Sequence, residues 1–427
     1  MKKVLIISYF FPPHTEVGGL RIQGLAKYLS KFNWEAIILT RSLPDNPNPL
    51  FRVIQTPYYD VIGSWKKRFG LEPEGEVKKQ FGLTTHKNKK SSVDYILIFL
   101  SEIIAYPDGK KGWYNYAVET SSEIIKNENI DAMISSSSPP TCHLIAKELK
   151  DKYQIPWVAD FRDLWTQNHY YEYSSKRRII EKRLEIKTLS KADALTIISK
   201  DFAVILGKLH NGKKIYTIPN GFDPQEINTS HPDLTAKFVI TYTGNLYQGK
   251  RDPSKLFNSL QDLISEERID PDDLEIRFYG PKEDWMWKEI EYYGLQSIVN
   301  EYGVVSRRIA LEKQRESQLL LLLLWDHPDE IGVYTAKIFE YLTAQRPVLA
   351  IGGSEGVVKE LLDETNTGIY ATSVCDIKEA LEQFYFDYKL RGNVEYKGER
   401  AKIERYSQKE MARKFAEVLN TLTEYEG

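Results

Sequence analysis

The chain is punctuated by short, almost uncharged runs rich in Val, Ile and Leu, with longer stretches between them that have amphipathic helical spacing. Runs of that length read as strands. Strands without polar alternation are buried on both faces, and a parallel sheet covered by helices is the arrangement that buries them. In the first half the strands are expected at 3–9, 34–40 (WEAIILT), 131–136 (DAMISS), 155–161 (IPWVADF) and 193–199 (DALTIIS), with helices at 19–31, 141–150 and 175–190. The alternation restarts at FVITYTG (238–244) and continues through LEIRFYG (274–280), IVNEYGVV (298–305), LLLLLLW (319–325) and RPVLAIG (346–352). Helices then follow in IKEALEQFYF and SQKEMARKFAEVLNTL.

A length of 427 residues exceeds what one core usually organises. Two successive doubly wound α/β domains are therefore expected, divided near IPNGFD (218–223), where Pro219 and Gly221 break the pattern. The domains so placed are 1–218 and 219–405, with a final helical segment at 406–427 that can cross back to the first. Residues 41–115 leave the rhythm and read as an insertion with a helical portion at 92–104.

Composition narrows the function. A net charge of -2 with 28% charged residues argues against a general nucleic-acid surface. The two cysteines, Cys142 and Cys375, form no CxxC or Cys/His cluster, so neither a disulfide framework nor a cysteine zinc site is expected, and the cytosol is the natural compartment. The start, MKKVLIISYFFPP, is expected to be a first strand rather than a leader, because its apolar run is short and ends at Pro12 and Pro13. No apolar run reaches the roughly 18–20 residues that span a bilayer. Peripheral membrane contact stays open, with HKNKK at 86–90 as one basic segment that can lean on an anionic surface.

Four stretches can carry chemistry. In FFPPHTEVGGLR (10–21), Gly18 and Gly19 sit where a strand passes into a helix, so backbone N–H groups can approach an anion. His14 and Glu16 lie in the same loop. The stretch matches neither GxGxxG nor GxxxxGK[ST], which sets aside nicotinamide and P-loop enzymes. In IPWVADFRDLW (155–165), Asp160, Arg162 and Asp163 come to the carboxyl end of a strand, the edge where such sheets bind ligands. An ion pair of Arg162 with either aspartate is the plainer reading. SSSSPPTCH (135–143) brings His143 beyond the preceding strand, as a ligand or as a surface or capping residue. In TYTGNLYQGKRDPSKL (241–256), Gly244 and Asn245 close a strand, and Lys250 and Arg251 supply charge for a phosphate, or simply a solvated loop. In DEIGVYTAKIFEYLTAQRPVLAIG (329–352), a helix near Tyr334 turns Ile338, Tyr341 and Leu342 to the sheet. Lys337 and Glu340, three apart, either hold a ligand or form a surface salt bridge.

Taken in order, FPPHTEVGG, IPWVADFRDLW, KADALTIIS, IPNGFD and KIFEYLTAQRPVLA resemble the retaining glycosyltransferases of family 4. The resemblance covers nearly the whole chain apart from 41–115. It implies the GT-B fold, with two Rossmann-like domains facing across a cleft, and a nucleotide-sugar donor, UDP- or GDP-linked, used without a metal or other cofactor. The acceptor is implied to be a glycan or lipid-linked molecule, as in surface polysaccharide assembly at the inner face of the cell membrane. Gly18, Gly19, Gly244, Asn245, Lys337, Ile338 and Glu340 inherit donor-binding places, with Glu340 at the ribose. His14, Glu16 and His143 are assigned to the acceptor, and Lys250, Arg251, Arg162 and Asp163 to the reaction.

Three positions depart from the family pattern. Arg162 and Asp163 replace its His-Asp pair, and Asn245 replaces the arginine of its basic pair. Gly332 stands where the first of two glutamates is expected, leaving Glu330 or Asp329 as substitutes. The implied mechanism stabilises the leaving nucleoside diphosphate by Lys250, Arg251, Lys337 and backbone N–H groups. A sugar-nucleotide 2-epimerase and a non-catalytic sugar- or nucleotide-binding subunit are the alternatives.

Overall fold

The computed structural model describes all residues except 14–16, 46–47, 69–99, 101, 172, 228–232 and 425–427. Two compact units divide the chain, one formed by residues 1–218 with 412–427 and the other by 219–411.

The first unit is built on a seven-stranded parallel sheet. Its strands are β1 (Lys2–Ser8), β2 (Trp34–Arg41), β3 (Arg52–Thr56), β4 (Ala132–Ser137), β5 (Trp157–Phe161), β6 (Ala194–Ile197) and β7 (Ile215–Thr217), in the order β3-β2-β1-β4-β5-β6-β7. The second unit holds β8 (Phe238–Thr243), β9 (Leu274–Tyr279), β10 (Val299–Glu301), β11 (Leu319–Leu323), β12 (Val348–Ile351) and β13 (Gly368–Ala371), in the order β10-β9-β8-β11-β12-β13. Each sheet reverses its winding once, between β1 and β4 and between β8 and β11. The crevice at the carboxyl ends of those strands is where doubly wound sheets take ligands.

The polyleucine run shows how sequence becomes layers. Successive side chains of a strand point to opposite faces. Leu319, Leu321 and Leu323 accordingly pack into one core with Leu256, Leu260 and Leu381, whereas Leu320 and Leu322 pack into another with Ile338, Tyr341 and Leu342. Both cores are closed by helices, so β11 carries no polar face.

Several sequence expectations need correction. The stretch 41–115 is not wholly an insertion: Arg52–Thr56 pairs in parallel with β2 and forms the sheet edge, and a helix follows at Val61–Arg68. Most of the helical portion expected at 92–104 lies outside the described residues. The strand expected at 298–305 is confined to Val299–Glu301, and the edge strands β7 and β13 were not anticipated.

The helix Gln408–Glu424 contributes to the first unit through its second half. There Phe415 and Leu419 are fully buried. Asn420 Oδ1 accepts from Trp34 Nε1 at 3.0 Å, Lys2 Nζ donates to Thr423 Oγ1 at 2.8 Å, and the Arg21 guanidinium lies 5.1 Å from the Phe415 ring centre. No helix among the described residues is long and apolar enough to cross a membrane.

Candidate active site

In the first unit, β1 leads into the helix Val17–Tyr28, whose first turn contains Gly18 and Gly19. Gly18 is fixed by its neighbour, since a Cβ there would come within 1.1 Å of Arg162 Nη1. The guanidinium therefore lies against the helix start. Arg162 Nε donates to the Ser137 carbonyl at 2.7 Å, and Nη2 donates to that of Ser138. Burial pulls this guanidinium's pKa down, opposed by the charges of Asp163 and Asp160. The structure thus brings the GG turn, the end of β4 and Arg162 together at the switch point, with Asp163 exposed beside them.

Asp160 has a different task. It is fully buried and takes both Nε (3.0 Å) and Nη2 (2.8 Å) of Arg21, with Ser136 Oγ at 2.8 Å and Thr196 Oγ1 at 2.7 Å. Burial raises its pKa, but the Arg21 charge and these hydrogen bonds outweigh that and hold it below the usual carboxylate value. Asp160 ties three strands and a helix together, so the expected Arg162–Asp160 ion pair gives way to Arg21–Asp160.

His143 corrects a second expectation. It has no exposed surface, its Nδ1 lies 2.7 Å from Ser135 Oγ, and its ring centre is 4.7 Å from that of Phe161. Burial lowers its pKa to about 3, which keeps it neutral. It is a core histidine with no face for an acceptor. His14 and Glu16 lie outside the described residues.

The second unit concentrates charge at the carboxyl end of β8. Gly244 has φ of +117°, and a Cβ there would lie 2.3 Å from Lys337 Cε. Only glycine meets both conditions, so Lys337 crosses directly over the backbone at the strand end. Lys337 is held by Tyr242: Nζ donates to the phenol oxygen at 3.0 Å and sits 4.7 Å from the ring centre. Burial lowers the Lys337 pKa well below 10.5, and the nearby Arg251 charge lowers it further, only partly opposed by Glu340.

The loop after Asn245 runs through three left-handed residues, Tyr247, Gln248 and Gly249, with φ of 53°, 56° and 84°. It turns Lys250 and Arg251 back towards the sheet edge. The Lys250 ammonium lies 4.6 Å from the Trp325 ring centre, and the Arg251 guanidinium 4.6 Å from that of Tyr247. These ring contacts place both cations close to the carboxyl end of β8. Trp325 follows β11, so both sides of the switch point contribute.

The helix Ala336–Ala344 carries Lys337 and Glu340 on one side and buries Ile338, Tyr341 and Leu342 on the other. Ile338 is fully buried, which corrects its assignment as a donor ligand through its side chain. The expected Lys337–Glu340 salt bridge is replaced by other partners: Glu340 Oε1 is 3.5 Å from Arg307 Nε, and Arg307 is itself held by Glu226 at 3.0 and 2.9 Å. Glu330 lines a small hollow with Trp325, Ser354, Gly356 and Tyr370, whereas Asp329 is exposed.

Tyr242, Trp325 and Arg307 were not singled out from sequence. Tyr242 is two residues before Gly244 and shares its face of β8, a signal that was present. Arg307 has no local signal, because only the crossover of the sheet brings it to Glu340. In the first unit, Arg41 was also missed: its guanidinium lies 5.1 Å from the Tyr9 ring centre and 5.0 Å from that of Tyr58, with the Lys110 ammonium 5.4 Å from Tyr9. Among the described residues no group of three His, Cys, Asp or Glu side chains could hold a metal ion.

Two parallel doubly wound sheets, each with a glycine turn at its switch point, make up the GT-B fold. Similar solved structures share that fold. Sucrose-phosphate synthase from Thermosynechococcus elongatus has a TM-score of 0.66 at 12% identity, with all of both chains covered. Anabaena HepE in complex with UDP gives 0.62 at 13% identity, covering 99% of this chain and 100% of that one. A glycosyltransferase from Rickettsia africae gives 0.62 at 14% identity, covering 99% and 98%.

Residues 85–226, about a third of the chain, match the model of Glycosyltransferase Family 4. The match begins within the stretch read as an insertion and stops short of the second sheet. No curated protein matches by sequence.

Proposed function

We propose that the second unit binds a nucleoside diphosphate sugar, and that the sugar passes with retention of configuration to a glycan or lipid-linked acceptor held by the first unit. One observation carries this reading: Lys337 is half-buried over Gly244, and burial, with the Arg251 charge beside it, depresses its pKa. A lysine in that position is costly unless an anion completes its surroundings. A diphosphate at the end of β8 would meet Lys337, Arg251 and Lys250 together. Glu340, held by Arg307, is assigned to the ribose hydroxyls, and Glu330, one of the residues lining the hollow, to the sugar in place of the missing glutamate. HepE, whose fold this chain shares, was solved with UDP and with UDP-glucose, which makes UDP the first nucleotide to test.

The bond from the anomeric carbon to the diphosphate oxygen breaks, and the nucleoside diphosphate leaves with the electron pair. The acceptor hydroxyl oxygen forms the new bond to the anomeric carbon, and its proton passes to the departing diphosphate oxygen. Negative charge grows on the leaving group, where the three cations act. In the first unit, Arg162 at the GG turn and the Arg41–Lys110 pair over Tyr9 and Tyr58 favour an acceptor carrying negative charge, such as a lipid phosphate. This fits a role in surface polysaccharide assembly, with the enzyme in the cytoplasm and in peripheral contact with the membrane. No metal or other cofactor is assigned to the reaction.

Calorimetric titration with UDP, GDP, TDP and CMP and their sugar conjugates tests the donor. Micromolar binding of one nucleoside diphosphate, weakened about tenfold or more (roughly 1.4 kcal/mol) in Glu340→Ala, is the expected result. Absence of binding by every nucleotide would overturn the reading. A sugar nucleotide bound but left unconsumed with acceptors present would favour a binding subunit, and conversion to its 2-epimer would favour the epimerase.

A further inference from the structure

The helix Ser175–Leu189 in the first unit is inside out. Its charged residues Arg177, Glu181 and Glu185 face inward with relative exposures of 5%, 1% and 0%, while Ile179, Ile180 and Ile186 face outward at 58%, 56% and 40%. A helix that borders only water shows the opposite pattern.

The inward charges are satisfied by built partners. Arg177 donates to the carbonyls of Glu102 (2.6 Å), Ala105 (3.0 Å) and Pro107 (3.0 Å) and pairs with Glu181 at 2.5 Å. Glu181 also accepts from Trp165 Nε1 at 3.3 Å, and Glu185 from the Thr166 N–H at 3.1 Å, with His210 Nε2 at 3.3 Å. The inner face is thus fixed, and the outer face is not a misplaced core.

That outer face has order of its own. At about 100° per residue, Ile179 and Ile186 fall within roughly 20° of one another, opposite the buried side. Lys182 and Arg178 flank this ridge on one side, and Arg183, Lys176 and Lys187 flank it on the other, all exposed. Both glutamates of the helix point inward, so the outer face carries five cations and no acid. Among the described residues, Lys176, Lys182, Arg183 and Lys187 are in no ion pair. Exposed Tyr173 (37%) precedes the helix, and Ile103 (53%) lies next to Glu102, whose carbonyl Arg177 holds at the helix start.

From this arrangement we propose that the outer face of Ser175–Leu189 is the surface by which the enzyme lies on an anionic lipid bilayer. The isoleucine ridge would enter the acyl boundary, and the flanking cations would reach the phosphates. A bilayer fits better than an acidic protein segment because the charge is spread along both flanks of the whole helix around an apolar ridge. The proposal deepens the lipid-facing side of the proposed function and rests on that reading only for the nature of the acceptor.

Co-sedimentation of the full chain with phosphatidylglycerol-containing vesicles and with pure phosphatidylcholine vesicles tests it, alongside UDP calorimetry. The variants are Lys182→Glu/Arg183→Glu and Ile179→Ser/Ile186→Ser, both on exposed positions of the first unit and none of them a residue assigned to the donor. The expected result is binding to the anionic vesicles only, about tenfold or more weaker in each variant, with UDP affinity unchanged. Wild-type protein that stays in solution with anionic vesicles would overturn the proposal, as would two variants that bind like wild type. So would a dimer in solution that the isoleucine variant dissolves while vesicle binding is absent. Vesicle binding without any nucleotide binding would leave this surface standing and remove the donor assignment instead.

Discussion

Lys337→Met separates what the lysine does for the empty protein from what it does for the ligand. In the unfolded chain the amine keeps its proton up to the ordinary value of 10.5, whereas in the folded protein burial and Arg251 make it let go earlier. Between those two values the unfolded chain binds more protons, so stability rises with pH there and the charge is a burden at neutral pH. Methionine keeps the length of the side chain and drops the charge. It also leaves Tyr242 Oη without the donor now 3.0 Å away, though that phenol still donates to the Asn245 carbonyl at 2.8 Å. The net effect on unfolding at pH 7 is expected to lie between zero and a gain of about 1 kcal/mol. Binding should go the other way. A charge-assisted hydrogen bond to a diphosphate is worth about 1.5–3 kcal/mol, so the Kd for UDP should rise roughly 10- to 150-fold. Above the free-state pKa, UDP binding should also take up a proton at Lys337. Calorimetry in two buffers of different ionisation enthalpy reads that uptake, and Lys337→Met should abolish it. A Kd within threefold of wild type, with stability lowered by more than about 2 kcal/mol, would show Lys337 to be a packing residue and refute the reasoning.

Three further outcomes follow from the same geometry. Gly244→Ala forces a Cβ to 2.3 Å from Lys337 Cε at a φ of +117°, so it should weaken UDP binding at least about tenfold and lower stability, as titration and thermal unfolding would show. Arg21→Ala leaves Asp160 buried and uncompensated and should cost about 3–5 kcal/mol in denaturant unfolding, whereas Lys at the same position should recover part of it. His143 has its pKa depressed to about 3 from 6.5, so the folded state binds fewer protons between those values. Its contribution is complete above pH 6.5 and is lost as pH falls towards 3. His143→Gln should flatten that limb of the stability curve, a difference on the order of a few kcal/mol.

Sequence revealed the architecture where strands were long and buried on both faces, because hydrophobic periodicity there reports sheet position directly. It failed at the edges. Arg52–Thr56 is partly exposed and lies among prolines and charges, and β7 and β13 are too short to show a period. The glycine turns and the cations were visible one by one, but their contacts depend on tertiary crossovers. Nothing near Gly244 says that Lys337 lies across it, and nothing near Glu340 names Arg307. His143 shows the converse error, a polar residue credited with surface chemistry when its partners among the described residues are a serine and aromatic rings. Ile338 was already facing the sheet by helical spacing, so its apolar side chain could not also serve the donor.

The place of residues 412–424 has a consequence for how the protein is made. Lys2 and Thr423, 421 positions apart, are joined by one hydrogen bond, and Phe415 and Asn420 cover Arg21 and Trp34. During synthesis the N-terminal sheet leaves the ribosome first but lacks this cover until the whole second unit has been translated. Its exposed flank, with the indole of Trp34 among it, must wait while some 190 intervening residues emerge, ten seconds or more at roughly 5–20 residues per second. Early strands that emerge first therefore finish last, and the waiting nascent chain is a natural client for chaperones.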